Sequence, residues 1–269
     1  MNPTTRLLEV TDALNEAGLQ FLIMGGHAVR HYGVDRNTSD FDFHVSGDSI
    51  RGLEERLRRT RLLSRSEFKE GVSWRPEDFR RYQIGVLPNG REEWLEFWIR
   101  NHLLAPFAEL YQRREESLES SRRLVFLSLP DLIRSKETER DDDWSDVRLL
   151  EEILDARNLA NPTGSVTALS QLRSRRGFET AEATGLFGKR DEVREAIRQA
   201  KHPVSIAYLL PFAPDAECHS LEKTIADVLR RLQPGTARHL AVVEAVRLSY
   251  QRAAKAADRA DKERQQSAR

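Results

Sequence analysis

The chain lacks the features that identify secreted, disulfide-bonded and membrane-spanning proteins. It has one cysteine, Cys218, in 269 residues, which excludes an intramolecular disulfide framework and a cysteine-based metal cage. No apolar run approaches the roughly 20 residues needed to span a bilayer, and the N-terminus shows no signal-peptide pattern. We therefore expect cytoplasmic localisation and no membrane partner.

A net charge is also missing. Lys and Arg total 43 and Asp and Glu total 43, giving a formal charge of zero, so the chain has no general attraction to polyanions. A local arginine cluster remains, formed by Arg56, Arg58, Arg59 and Arg61. Because Leu53 and Leu57 are interspersed with these arginines, we favour the solvated face of an amphipathic helix. A surface for a nucleic acid acceptor or a triphosphate is the alternative.

A glycine pair and two carboxylates form the most informative pattern. Residues 21–24 are apolar and predict a short buried strand that leads into Gly25 and Gly26, where a helix begins. Glycine lets a phosphate approach the backbone, and a helix start offers free N–H groups to an anion. Residues 40–45 predict the next strand, on which Asp40 and Asp42 share a face. Two carboxylates on one rigid strand suit Mg²⁺, so this pattern indicates a metal and nucleotide site.

A predicted β-hairpin supplies a third carboxylate. Its strands are residues 79–87 and 92–99, joined by a Pro-Asn-Gly turn. In the second strand Glu96 alternates with Leu95 and Phe97, whose face is wholly apolar and is expected in the core. Glu92 and Glu93 lie near Glu96 in the sequence and are the alternatives for the third carboxylate. Glu96 is preferred because its neighbours are apolar, as a central strand requires.

These residues resemble the signature of the nucleotidyltransferase superfamily, whose fold is shared with DNA polymerase β. The order is hydrophobic-Gly-Gly, then Asp-hydrophobic-Asp-hydrophobic. The segments 25–29 (GGHAV) and 36–42 (RNTSDFD) are most similar to the bacterial toxin-type and abortive-infection-type branch. Glu96 matches the family's third carboxylate. This chain also resembles the closing helical motif of that branch, at Lys136, Arg140, Asp143 and Asp146. The resemblance covers residues 1–157.

The resemblance implies a metal-dependent transfer of a nucleoside monophosphate from a nucleoside triphosphate, such as ATP, to an acceptor hydroxyl. Asp40, Asp42 and Glu96 would be the catalytic residues and would hold two Mg²⁺ ions. Lys136 is the candidate for neutralising the triphosphate charge. The residues expected to bind the nucleotide are Gly25, Gly26, His27, Arg36, Lys136 and Arg140.

Two parts of the pattern leave alternatives open. Many relatives have Gly-Ser where this chain has Gly25-Gly26, so His27 could act as the phosphate donor or could shield the helix start, which we favour. Asp143 and Asp146 could pair with Arg140 at helical spacing or could touch the substrate. The acidic run at residues 141–143 also leaves the alignment of Asp143 open by one position.

The expected acceptor is RNA or a protein hydroxyl, as in a toxin or defence enzyme with a cognate antitoxin as partner. The alternative is a small-molecule nucleotidyltransferase of the antibiotic-modifying kind, which would need an acidic pocket. The helical half could supply Glu179, Glu182 or Asp191 to it. A non-catalytic nucleotide-binding module of the same fold is the third possibility, and the intact Asp40, Asp42 and Glu96 set argues against it.

We predict an α+β fold with two domains. Residues 1–157 would form a nucleotidyltransferase-fold mixed sheet flanked by helices, and residues 165–269 an all-helical domain. Residues 158–165, which include Pro and Gly, are typical of a linker. The polar end from Asp261 is expected to be frayed. No chemical motif stands out in the helical half, because adjacent residues such as Cys218 and His219 point about 100° apart on a helix and no base partner is visible.

Overall fold

The structure is a computed structural model that describes residues 3–60, 69–71, 76–160 and 164–267. Arg61 and the centre of the predicted linker lie outside these ranges. The chain divides into two compact units, Met1–Ser135 and Lys136–Arg269. This division comes earlier than the predicted boundary at residues 157–165, because the helix Asp141–Ala160 packs against helices of the second unit. The predicted α+β class, a mixed sheet flanked by helices and followed by a helical region, is confirmed.

Seven strands in the first unit form one mixed sheet. They are β1 (Phe21–Ile23), β2 (Phe41–Val45), β3 (Lys69–Glu70), β4 (Phe79–Val86), β5 (Glu92–Trp98), β6 (Glu115–Glu119) and β7 (Arg122–Phe126). Their order across the sheet is β3-β4-β5-β2-β1-β7-β6. The pairs β2–β5 and β1–β7 are parallel, and the other four pairs are antiparallel.

Among the described residues of this unit, five helices accompany the sheet: α1 (Pro3–Glu16), α2 (Gly25–His31), α3 (Leu53–Arg58), α4 (Phe107–Gln112) and α5 (Leu129–Ser135). The helix predicted from Ile50 onward is interrupted: a 3₁₀ turn at Gly47–Ile50 precedes α3. Gly52 between them has a φ of 62°, a left-handed conformation that a continuous α-helix cannot contain.

The arginine cluster on α3 is a solvated helix face in the described residues. Arg58 pairs with Glu54 at 2.7 Å, and Arg59 pairs with Glu55. Arg56 turns inward and donates to the backbone oxygen of Ala17 at 3.1 Å.

Aromatic side chains fill the apolar face of the central strands. Phe43, Tyr82 and Phe97 are fully buried, and the Phe43 and Tyr82 ring centroids each lie 6.1 Å from that of Phe97. Burying a side chain of this size contributes about 1.5–3 kcal/mol. Because side chains alternate along a strand, the same packing directs Asp42 and Glu96 to the opposite face.

β6 and α4 are elements that the sequence patterns did not predict. β6 pairs only with β7 and lies at the edge of the sheet. Its residues are mostly charged or exposed, including Glu115, Glu116 and Glu119. Charged edge strands are common because they discourage pairing with other chains, and they lack the apolar alternation by which strands are recognised.

Seven helices form the second unit: α6 (Asp141–Ala160), α7 (Ser165–Ser170), α8 (Arg175–Ala183), α9 (Arg190–Gln199), α10 (Pro203–Leu209), α11 (Lys223–Leu229) and α12 (Ala237–Ser267). Their core includes Phe178, Val193, Leu209 and Leu229. The helix α12 continues to Ser267, beyond the point where fraying was predicted. Lys262 pairs with Asp258 at 2.9 Å and with Glu139 at 2.9 Å, which ties this end to the rest of the unit.

Every described helix of both units is too short or too polar to cross a lipid bilayer.

Candidate metal and nucleotide site

Two predicted catalytic carboxylates lie side by side on neighbouring strands. β2 and β5 run parallel, and their register places Asp42 directly opposite Glu96. The apolar pairs Phe41–Leu95 and Phe43–Phe97 flank them on the core face. The local sequence thus fixes which face each carboxylate takes, and strand pairing brings the two together.

The crowding of these carboxylates changes their protonation. Burial raises the pKa of Glu96 to about 8, and the charge of Asp42 and a hydrogen bond to it act in the same direction. Asp40 adds a smaller repulsive contribution, while Arg81 opposes the shift. Glu96 is therefore harder to ionise than an ordinary carboxyl group. A pair of acids held this close is costly to ionise without a cation.

The predicted glycine turn packs directly against Asp42. Gly25 has a φ of 62°, and a Cβ atom on it would lie 1.9 Å from Asp42 Oδ2. A Cβ atom on Gly26 would lie 2.5 Å from Thr38 Oγ1. Both positions exclude any larger side chain. The glycine turn therefore packs against the side chains of Asp42 and Thr38 at distances that only glycine permits.

Asp40 lies just before β2 and is held by its neighbours in the chain. Ser39 Oγ donates to Asp40 Oδ1 at 3.1 Å, and Thr38 Oγ1 donates to the backbone oxygen of Asp40 at 3.3 Å. Arg36 lies half-buried in the same loop between α2 and β2. Thr38 and Ser39 were not predicted as site residues, although both stand within the segment that carries the family resemblance.

His27 is a buried, uncharged side chain. Its ring stacks on Phe41 with centroids 4.8 Å apart. Burial and, to a smaller extent, the charge of nearby Arg30 lower its pKa to about 4. These contacts are those of the favoured shielding role. Its contact with a phosphate stays a prediction.

Arg81 is a site residue that the sequence analysis missed. It stands opposite Glu96 across β4 and β5, with Arg81 Nε 3.9 Å from Glu96 Oε1. Its guanidinium carbon lies 3.6 Å from the centroid of the Trp94 ring. The alternation of Arg81 and Gln83 with the buried Tyr82 and Ile84 was the available signal for its face. The pairing of Arg81 with Glu96 could not be predicted, because the strand register shifts between Gln83 and Gly85.

The predicted closing motif forms an ion cluster inside the second unit. Lys136 Nζ lies 2.9 Å from Asp143 Oδ1 and 3.2 Å from Asp146 Oδ2, and its side chain is 10% exposed. Burial alone would raise the pKa of Asp143, but Lys136 and a hydrogen bond from Thr138 lower it overall. Arg140 is exposed and lies 3.6 Å from Asp143. The structure therefore shows the pairing that was one of the two alternatives for these residues.

The donor chemistry of the three carboxylates fits a divalent cation. All three offer only oxygen ligands, the kind that Mg²⁺ binds, and a cation would offset the repulsion between Asp42 and Glu96. In the part of the chain that the structure describes, no group of three or more His, Cys, Asp or Glu residues is already positioned to hold a metal ion. The fit therefore depends on the Asp42–Glu96 pair, with Asp40 beside it.

Comparisons with known proteins give similar structures but no matching sequence. No protein-family model and no curated protein sequence matches the chain. Among solved structures, the chain is similar to the lincomycin-bound lincosamide antibiotic adenylyltransferase LnuA, with a TM-score of 0.42, 14% identity and coverage of 55% of this chain and 96% of that one.

Two further nucleotidyltransferase structures are similar. ANT(2")-Ia in complex with adenylyl-2"-tobramycin has a TM-score of 0.35 and 16% identity, covering 69% of this chain and 93% of that one. An antigenic nucleotidyltransferase-like protein from Paracoccidioides brasiliensis has a TM-score of 0.38 and 18% identity, covering 72% and 91%. Because identities are this low, conclusions about function depend on the residues of this chain.

Proposed function

We propose that this protein is a nucleotidyltransferase that moves a nucleoside monophosphate from a nucleoside triphosphate to an acceptor hydroxyl. The observation that carries the proposal is the Asp42–Glu96 pair, with the Gly25 turn packed against Asp42. A stable fold gains nothing from acids placed so close that one of them retains a proton near pH 8. Such crowding is typical of functional sites, where a bound ligand compensates the repulsion.

Asp40, Asp42 and Glu96 would hold two Mg²⁺ ions. When bound, the metal supplies activation of the acceptor hydroxyl and charge stabilisation at the α-phosphate. The chain itself contributes positioning, which supplies much of the rate in phosphoryl transfer. Gly25 and Gly26, at the start of α2, would offer backbone N–H groups to the β- and γ-phosphates.

We also propose that Lys136, Arg140, Arg36 and His27 contact the nucleotide. For Lys136 this requires a change in its present ion pairs. Its ammonium is already bound by Asp143 and Asp146, so a phosphate would have to replace one of these carboxylates. Arg140 is exposed and free of that requirement, because its pair with Asp143 is long at 3.6 Å. His27 on α2 and Arg36 in the loop after it both lie between the glycine turn and the carboxylate strand in the chain.

The acceptor that we propose is RNA or a protein hydroxyl, in a toxin or defence role with a cognate antitoxin. The alternative is a small molecule of the kind named for LnuA and ANT(2")-Ia. Two of the acids suggested for a cationic substrate are paired within the second unit: Glu179 lies 2.8 Å from Arg175, and Asp191 lies 2.8 Å from Arg194. These pairs reduce the negative charge available for such a substrate.

The direct test is to incubate the purified protein with each α-labelled nucleoside triphosphate, Mg²⁺ and total RNA. We expect label on RNA or protein with the wild-type chain and none with Asp42→Asn. The matched control is Asp48→Asn, because Asp48 is an exposed acid of the same unit on a 3₁₀ turn. Equal transfer by wild type and Asp42→Asn would contradict the site assignment, and no transfer by either would contradict the proposed activity.

A further inference from the structure

The side of Glu96 that faces away from the glycine turn carries a cation and aromatic rings. In the sheet, β5 lies between β2, which carries Asp42, and β4, which carries Arg81. By strand alternation and register, the β4 and β5 residues on the face of Glu96 are Phe79, Arg81, Gln83, Trp94, Trp98 and, at the hairpin end, Glu92.

Arg81 is fixed in this position from three directions. Trp94 lies under its guanidinium at 3.6 Å, and Glu96 lies at its edge at 3.9 Å. Gly71 closes the third side: its N–H donates to the backbone oxygen of Arg81 at 2.9 Å, and a Cβ on it would lie 2.6 Å from Trp94 and 2.9 Å from Arg81 Cγ. The glycine therefore makes room for the stacked pair. Arg81 is still 31% exposed, and its Nε has no hydrogen-bond partner among the described residues.

The geometry of the proposed reaction assigns this side to the acceptor. In phosphoryl transfer the attacking and leaving oxygens are roughly in line across the phosphorus atom. The leaving pyrophosphate would lie toward Gly25 and Gly26, which pack on the β1 side of Asp42. The attacking hydroxyl must then approach from the opposite side, where β5 and β4 present Glu96, Arg81 and Trp94.

We propose that Arg81, held by Trp94, selects the acceptor, and that this acceptor is the end of a single-stranded polynucleotide. A backbone phosphate would bind the guanidinium, and a base would lie against the part-buried Trp94 and Trp98. Arginine and aromatic side chains together are the usual surface for single-stranded nucleic acid. The inference deepens the proposed function and rests on it.

The same residues disfavour a polycationic acceptor. The guanidinium of Arg81 would repel an amino group placed beside Glu96, and Glu70 points to the other face because it pairs with Tyr82. On the site face of β4 and β5, the acidic residues are Glu96 and, at the hairpin end, Glu92. An aminoglycoside therefore lacks the ring of carboxylates it would need on this side.

The test compares Arg81→Gln and Arg81→Lys with wild type in the full-length protein. The probes are a short single-stranded RNA with a free 3′ hydroxyl and an aminoglycoside, each with the preferred labelled triphosphate and Mg²⁺. For Arg81→Gln we expect the KM for RNA to rise about tenfold or more, a larger change than in the KM for triphosphate. Arg81→Lys should recover most of the loss, because it retains the charge.

A binding measurement gives a readout that does not depend on turnover. Fluorescence anisotropy of labelled RNA should show weaker binding to Arg81→Gln, with a salt slope smaller by about 0.7, the value expected for one lost single-strand phosphate contact. The matched control is Arg80→Gln, because Arg80 precedes Arg81 on β4, faces the opposite side and donates to the backbone oxygen of Pro76. It should bind RNA as wild type does.

Each other outcome contradicts the inference in a recognisable way. If Arg81→Gln and Arg80→Gln have equal effects, Arg81 has no selective role. If wild type labels the aminoglycoside or a protein in preference to RNA, the acceptor is of another class while the proposed transferase activity stands. If wild type transfers label to no acceptor, the proposed function fails and the inference fails with it.

Discussion

The two units each contain a cluster of carboxylates, and the clusters differ in how their charge is balanced. In the helical unit three buried acids have close cations: Lys136 binds Asp143 and Asp146, and Arg247 binds Glu151 at 2.6 Å. In the sheet unit Asp42 raises the pKa of Glu96, and the Arg81 cation lies 3.9 Å from Glu96. Balanced clusters hold helices together. The unbalanced one is where a ligand is expected.

Asp42→Asn should give the largest effect, and should separate the two kinds of cluster. We expect transfer to fall by about 10³-fold or more, because a lost metal ligand removes several kcal/mol of transition-state stabilisation. The free energy of unfolding should not fall, since one of two repelling acids is neutralised. Labelled-nucleotide transfer and urea denaturation measure these. A stability loss like that expected for the helical cluster would show that Asp42 is structural.

Arg247→Leu should give the opposite result in the helical unit. Glu151 is almost fully buried, and its pKa is already raised by that burial despite Arg247 and Arg173. Removing Arg247 leaves the acid without its closest partner, so the free energy of unfolding should fall by about 3–5 kcal/mol. Adding Glu151→Leu should recover most of this loss, because an apolar pair replaces an ion pair at little cost. Urea denaturation of the single and double variants checks both steps.

Gly25→Ala tests whether the turn positions Asp42. Its Cβ would collide with Asp42 Oδ2, and a shift of the carboxylate by about 1 Å is expected to reduce transfer about 100-fold. Gly18→Ala is the matched control, because Gly18 has a φ of 66° and nothing within 4 Å of its added Cβ. Both variants carry the left-handed backbone cost of about 1–2 kcal/mol. Equal activity in the two would show that the Gly25 contact has no catalytic importance.

Asp155 should give the smallest effect, seen as a pH dependence of stability. Burial raises its pKa to about 6, although hydrogen bonds from Ser174 and the backbone of Arg173 oppose the shift. The folded-state pKa lies above the unfolded value of about 3.9. Its stabilising contribution is therefore full below that value and is lost as pH rises through 6, by about 1–3 kcal/mol.

The measurement for Asp155 is the free energy of unfolding between pH 4 and 7 for wild type and Asp155→Asn. Subtracting the two curves removes the other titrating groups. The difference should change across this range, and a constant difference would show that Asp155 titrates normally.

The sequence was most informative where local pattern and function coincide. Gly25, Asp40 and Asp42 are recognisable because a strand needs alternation and a close turn needs glycine. Glu96 was identified by its apolar neighbours, and the register confirms that it stands opposite Asp42. The edge strand β6 was not predicted, because its charged residues have no buried face to reveal it.

Arg81 shows why other features of the site could not be predicted from the sequence. Counted back from the hairpin turn without interruption, Tyr82 would oppose Glu96. The register shift between Gln83 and Gly85 moves Arg81 into that place. A β-bulge depends on packing across the whole sheet, so the residues around it do not indicate its position. The pairing of Lys136 with Asp143 and Asp146 was not predicted, because the open alternative for these acids was a pairing with Arg140.

The sequence by itself determined the fold class, the face on which each carboxylate lies and the glycines at the turn, because these depend on the short periods of strands and on the conformational freedom of single residues. The tertiary structure alone decided that Asp42 and Glu96 stand side by side, that Arg81 stands beside Glu96 and that Lys136 is bound by two acids. Those properties arise from distances between residues far apart in the chain, and electrostatic energy depends on such distances and on burial.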